Sequence, residues 1–352
     1  MLRTISRARP TIAITSGDPC GIGPEVILKA LALLAPLQNR SRIRWVVIGD
    51  LGVFEAAAWR IRRRLPSWAV VRSVKALSDG RALPSLCFLD CGHRSRFLPG
   101  RSSRAAGRAS LVYLDRALAL QRLGMLRGLV TAPLTKWAVA RSAPAFIGHT
   151  EYLAQHLRIP EALMGFVSDA LRVALLTRHV ALRAAAGLLT RRLIERSVRR
   201  LDEALRAQFR IAHPRIALCG VNPHAGERGR FGAEERRIMQ PALRALAREG
   251  IACDGPFAAD RVFIDSTRRR YDAIVCGYHD QALIPFKMVS RDEGCQMTVG
   301  LPCVRTSPDH GSALDIAAQG VADPGSMAYA LRLARRLVAA APRGPKTNAQ
   351  RR

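Results

Sequence analysis

The chain has 352 residues, of which 49% are apolar. That is enough for about two domains of ~150 residues and excludes a disordered chain. No run reaches the ~18 apolar residues of a membrane span, and the basic segment 1–10 lacks the apolar core of a secretory signal, so a cytoplasmic protein is expected. The formal charge of +29 raises nucleic acid as a partner, but aromatics are only 5% of residues and the arginines are scattered rather than interleaved with them. No nucleic-acid-binding motif appears, so the charge reads as a solvated surface that attracts phosphorylated small molecules.

In chain order, 11–15 (TIAIT) reads as a buried strand. A glycine-rich turn follows, then a helix over 24–34 with Pro24 in its first turn, where a missing N–H is harmless. Residues 45–48 read as a strand, 107–126 as an amphipathic helix, and 128–131 as a strand. The pattern repeats with strands at 171–176, 215–218 and 273–276 and helices at 193–209 and 232–248. A short strand at 297–299 and helices at 312–318 and 324–337 complete it. Such alternation predicts an α/β fold with a largely parallel sheet. The tail 341–352 has no period and is expected to be disordered. Eight cysteines form no CxxC pair, which points to free buried thiols rather than disulfides or a thiolate metal site.

Several segments carry chemistry. Gly17-Asp18-Pro19-Cys20-Gly21-Ile22-Gly23-Pro24-Glu25 lacks the third glycine of a dinucleotide fingerprint. It is either a tight strand-to-helix turn or an anion contact at a helix start. His149 and Thr150 could hold a phosphate or carboxylate, or simply open a helix. His179, His224 and His279 share one placement: an apolar strand, a short turn, then a histidine. Singly each would be an ordinary loop residue. Ligands in α/β sheets bind outside the carboxyl ends of strands, so together the three suit a catalytic divalent-metal site with open positions. Asp260 is either a carboxylate orienting an imidazole or a salt-bridge partner of Arg261. Lys287, in IPFK, is a candidate proton-transfer group, a phosphate partner or a surface lysine. Arg305 suits a bidentate carboxylate or phosphate contact, although a solvated arginine is the ordinary reading in so basic a chain. The stretch 307–324 is dense in glycine, polar residues and turn formers, a composition able to wrap a nucleotide.

Taken together, GDPCGIGPE, VTAPLTK, GHTEYLA, TRH, VNPHAGERGRFGAEE, GPFAADRVF, YHDQALIPFK and GLPCVRTSPDHGSALDIAAQGVADPGS resemble the 4-hydroxythreonine-4-phosphate dehydrogenase family of vitamin B6 biosynthesis. The resemblance runs from Ile14 to about Leu337. The last motif is also similar to the nucleotide loop of isocitrate and isopropylmalate dehydrogenases. It implies two α/β domains: 11–147 with 306–340 for the nucleotide, and 148–305 for metal, substrate and dimerisation. The active site would lie in the interdomain cleft of a homodimer. It implies His179, His224 and His279 as ligands of one divalent ion (zinc, magnesium or cobalt), one supplied across the dimer. It places His149, Thr150, Lys287, Gln296 and Arg305 on substrate contacts and Asp309, His310, Gly311, Ala313 and Asp323 on the NAD or NADP loop. Lys287, with Asp260, is the candidate catalytic group.

The implied reaction oxidises 4-phosphooxy-L-threonine to 2-amino-3-oxo-4-phosphooxybutanoate, which decarboxylates to 3-amino-2-oxopropyl phosphate. One position departs. The family usually has asparagine where this chain has Gln296, which keeps phosphothreonate or phosphoerythronate open as substrates. A phosphate acyltransferase of the wider fold group is the rival reading, and it would need neither the histidines nor the nicotinamide loop.

Overall fold

The computed structural model describes residues 9–38, 43–78, 83–93, 95–160, 162–291 and 293–340; the tail 341–352 and residues 1–8 lie outside the described residues. Its strands are β1 (Thr11–Thr15), β2 (Arg44–Gly49), β3 (Ala69–Val71), β4 (Leu86–Asp90), β5 (Leu126–Thr131), β6 (Leu163–Ser168), β7 (Arg172–Leu175), β8 (Ile216–Cys219), β9 (Cys253–Phe257), β10 (Ala273–Cys276), β11 (Gly294–Val299) and β12 (Val304–Ser307). The chain divides into two compact units, 1–169 with 290–335, and 170–289 with 336–352.

In the first unit the strand order is β3-β4-β2-β1-β5-β12-β11-β6. β1 is buried on both faces and pairs in parallel with β2 and β5, which is why its sequence is continuously apolar or β-branched rather than alternating. Its exit needs Gly17: φ is +69°, and a Cβ there would sit 2.1 Å from the Pro133 carbonyl oxygen. The helix Arg104–Arg122 starts at Ser103, whose hydroxyl accepts from the Ala106 amide at 3.2 Å. Its buried face runs through Ala106, Ala109, Tyr113, Leu114, Ala117 and Leu118. Tyr113, Ala117 and Leu118 pack on Val46, Ile48 and Leu129 of the sheet. In the second unit β7-β10-β8-β9 are all parallel. The helix Arg191–Ala207 starts at Thr190, which accepts from the Leu193 amide at 3.1 Å.

The fold is α/β with a mostly parallel arrangement. The exception is β11, antiparallel to both β6 and β12. Those pairings hold 163–168 and 294–299 in the first unit, whereas the sequence assigns 148–305 to a metal-binding domain. The helix expected over 312–318 does not form. Ala313 has φ +40°, and backbone groups of the stretch bond outward, Ser312 to Ile22 and Ala317 to Arg60, instead of up a helix. The helix expected from 232 begins as a wider π-helical turn over Glu235–Met239 and becomes α-helical at Gln240–Arg248. All eight cysteines are free, as read from the sequence. Burial pushes the thiols of Cys20 and Cys303 up to about 12, which makes them inert. No helix of the described residues is long and apolar enough to cross a membrane.

Candidate functional site

The three histidines follow three neighbouring strands of the second unit, β7, β10 and β8. The turns that carry them are stapled to each other. Leu176 and Thr177 donate their amides to Cys276 and Gly277 at 2.9 and 3.1 Å, and the Thr177 hydroxyl donates to the Gly277 carbonyl at 2.7 Å. Buried Gln281 accepts from the Gly277 amide at 2.7 Å and donates to the Gly220 carbonyl at 2.8 Å. Neither Thr177 nor Gln281 stood out in the sequence; only the YHDQ context hinted at the glutamine.

The rings of His179 and His279 lie 5.9 Å apart. His279 opens the helix His279–Ser290, and its Nδ1 is 2.7 Å from an Asp280 carboxylate oxygen. That pairing favours the tautomer with the proton on Nδ1, in which Nε2 carries the lone pair that could take a metal. Asp280 thus does what the sequence offered Asp260 for. Asp260 itself is exposed in the helix Ala259–Val262 and pairs neither with an imidazole nor with Arg261 among the described residues. His224 is exposed, near Phe231. Among the described residues no three His, Cys, Asp or Glu side chains assemble as a metal group in the single chain. The donor set nonetheless suits a divalent ion: two near imidazoles, one oriented by a carboxylate, and a third on the adjoining strand's turn.

The His224 turn is strained. His224, Ala225, Gly226, Glu227 and Arg228 all have left-handed φ, from +40° to +81°. Each non-glycine there costs about 1–2 kcal/mol, and strain of this kind concentrates at functional sites. Buried Glu235 holds the turn. Its Oε1 accepts from the Val221 and Asn222 amides at 2.9 and 2.8 Å, and its Oε2 from Asn222 Nδ2 at 2.9 Å. The π-helical turn begins at this same residue. Lys287 is exposed on the helix His279–Ser290, so the burial suggested by its apolar neighbours does not occur in this chain.

In the first unit Arg305 is only 1% exposed, against the solvated reading. It sits opposite Leu129 and Thr298, in the register of β12 between β5 and β11. Burial lowers its pKa to about 10, so it stays charged at neutral pH. His149 and Thr150 begin the helix His149–His156 behind Gly148, which makes no side-chain cap. Burial first, then the charges of Arg305 and Lys136, hold the His149 imidazole well below its usual value. It is therefore neutral near pH 7. His149 Nε2 and Arg305 Nε are buried with no hydrogen-bond partner among the described residues. Two such orphans within electrostatic reach of each other suit an oxyanion.

The stretch 309–323 is tied to the helix Gly23–Gln38. Lys29 Nζ donates to the carbonyls of Gly320 and Ala322 at 2.9 and 2.8 Å, and the Ala322 amide donates to Glu25 at 2.8 Å. Asp309 accepts from Ser326 Oγ at 2.8 Å, and Asp323 accepts from the Gly325 amide at 2.5 Å. His310 Nε2 is a further buried orphan, and a Cβ at Gly311 would meet nothing within 4 Å. An anchored loop with an open glycine and an unpartnered imidazole nitrogen fits a nucleotide.

The family model described as pyridoxal phosphate biosynthetic protein PdxA matches residues 41–334. A 4-hydroxythreonine-4-phosphate dehydrogenase of Methylorubrum extorquens (strain PA1) is 42% identical over 331 residues, 93% of this chain and 94% of the relative. The crystal structure of 4-hydroxythreonine-4-phosphate dehydrogenase from Klebsiella pneumoniae has TM-score 0.81 at 36% identity, covering 95% of this chain and 99% of that one. A terephthalate 1,2-cis-dihydrodiol dehydrogenase from Burkholderia xenovorans LB400 has TM-score 0.64 at 30% identity, covering 93% and 98%.

Proposed function

Because the chain belongs to the family of pyridoxal phosphate biosynthetic protein PdxA, we propose that it is a dehydrogenase oxidising 4-phosphooxy-L-threonine at its C3 hydroxyl. The match over 41–334 carries this reading. The product, 2-amino-3-oxo-4-phosphooxybutanoate, is a β-keto acid and loses CO₂ to give 3-amino-2-oxopropyl phosphate. When bound, NAD or NADP would supply the hydride acceptor, and a divalent ion (zinc, magnesium or cobalt) the positive charge that lowers the hydroxyl pKa.

His179, His224 and His279 would hold the ion in a homodimer working in the cytoplasm, with Asp280 keeping His279 in the ligating tautomer. Asp309, His310, Gly311, Ala313 and Asp323 would hold the cofactor, supported by the anchored loop and the orphaned His310 Nε2. Arg305, His149 and Thr150 would bind the phosphate and carboxylate ends; the neutral His149 donates or accepts without adding charge. Lys287, exposed in the single chain, is the candidate to take the hydroxyl proton, directly or through water, once it has given up its own.

Gln296 favours a second reading, a phosphothreonate or phosphoerythronate dehydrogenase, because it stands, hydrogen-bonded to Arg305, where the family usually has asparagine. The test is NADH formation from 4-phosphooxy-L-threonine, phosphothreonate and phosphoerythronate with added zinc, magnesium or cobalt. Fastest turnover of the first is expected. Cofactor reduction with none of the three, or full turnover after chelation, sinks the proposal.

A further inference from the structure

Gln296 does not have a free amide. Its Oε1 accepts from Arg305 Nη1 at 2.5 Å, and its Nε2 donates to Thr298 Oγ1 at 3.3 Å. Arg305 Nη1 also donates to Thr298 Oγ1 at 2.9 Å, and Nη2 donates to Thr131 Oγ1 at 2.5 Å. These partners come from two strands flanking β12: Thr131 ends β5, and Gln296 and Thr298 stand two apart on one face of β11. All are nine-tenths buried or more. The guanidinium has five N–H groups in a planar fork. Both on Nη1 are used, as is one on Nη2. Nε has no hydrogen-bond partner among the described residues, and with Nη2 it makes the fork's side edge, the geometry that takes a carboxylate or phosphate oxygen pair.

We propose that Gln296, with Thr131 and Thr298, is a positioning residue: it fixes the Arg305 guanidinium so that its Nε/Nη2 edge is kept for the anionic end of the substrate. The inference rests on the proposed function for the substrate's identity, and on the hydrogen bonds for the rest. The partners are neutral, so they orient the charge without cancelling it, which a carboxylate at 296 would do. Asparagine is one methylene shorter. From the same backbone position its amide oxygen falls about 1.5 Å short of Nη1, beyond a hydrogen bond. In this chain position 296 therefore acts through the arginine, and the arginine reads the anion.

A double-mutant cycle separates acting through Arg305 from touching the substrate. The proteins are the parent, Gln296→Met, Arg305→Met and the double variant. The readouts are KM and kcat for 4-phosphooxy-L-threonine and, independent of turnover, calorimetric affinity for inorganic phosphate, counting only the component lost in Arg305→Met. Gln296→Met is expected to raise KM and weaken phosphate about ten- to a hundredfold, the worth of a hydrogen bond to a charged group, with kcat within about threefold. In the Arg305→Met background it should add less than about twofold. Gln296→Asn, which packs with less disturbance, should not rescue. Equal losses in both backgrounds, wild-type KM in Gln296→Asn, or no phosphate component dependent on Arg305 overturns the inference. If the parent reduces no cofactor with any phosphorylated acid, the proposed function fails, and the phosphate cycle alone still decides the role of Gln296.

Discussion

The arginine frame of the first unit and the histidine edge of the second are built on opposite principles. Arg305 is sealed, and its orientation is set by side chains from neighbouring strands. His179 and His224 are exposed, and the order around them lies in the backbone of their turns, held by Thr177, Gln281 and Glu235. The difference follows from the ligand each would take. An oxyanion does not pull its donors into place as a metal ion does, so the protein must fix the donors in advance and keep water out. A divalent ion imposes geometry on imidazoles that are only roughly placed. The first region would be finished before its ligand arrives; the second would be finished by it.

The largest effect tests the second half of that contrast. His224→Ala or His279→Ala should remove the bound ion, measured by elemental analysis, and lower turnover by at least ~100-fold, more than the loss seen for residues that merely orient ligands. Full metal content in either variant would mean that the edge is not a metal site. Next comes the staple. Glu235→Ala leaves the Val221 and Asn222 backbone amides without their acceptor and the Asn222 side chain with Glu234 alone. It should cost about 1–3 kcal/mol in urea unfolding and weaken the ion about 10–100-fold. Stability lost with ion affinity intact would show that the strained turn is held for packing alone.

The two regions also differed in how far the sequence revealed them. The histidine edge was legible because each histidine follows a short apolar strand, and strand-then-turn is a local pattern. The strand registers, which bring Gln281 to Gly220 and Thr177 to Gly277, are not local, so the staples were invisible. Arg305 misled for the same reason. In a chain with 56 lysines and arginines one more arginine reads as surface, and its burial depends on β12 lying between β5 and β11. Nor does the period of 294–299 tell an antiparallel strand from a parallel one. The loop 309–323 has helix-forming residues, but Ala313 turns left-handed and its carbonyls and amides serve Ile22, Glu25 and Lys29 instead. Its composition is one able to wrap a nucleotide, and the resemblance implies that role; its anchoring is tertiary and not visible locally.

The smallest effect tests how sealed the arginine frame is. The pKa of the His149 imidazole is held well below its usual range, chiefly by burial and then by Arg305 and Lys136. The unfolded chain takes up a proton near pH 6.5 and the native pocket does not. Stability contributed by the neutral histidine is therefore complete above about pH 6.5 and is lost as pH falls below it, at up to about 1.4 kcal/mol per pH unit. His149→Gln removes the titration but keeps a polar side chain of similar reach. Between pH 7 and 5.5 its urea midpoint should fall less than the parent's, by an amount worth about 1 kcal/mol. Parallel curves for the two proteins would mean that His149 protonates in the native fold. The pocket around Arg305 would then be as open to water as the histidine edge, and the contrast between a finished and an unfinished region would not hold.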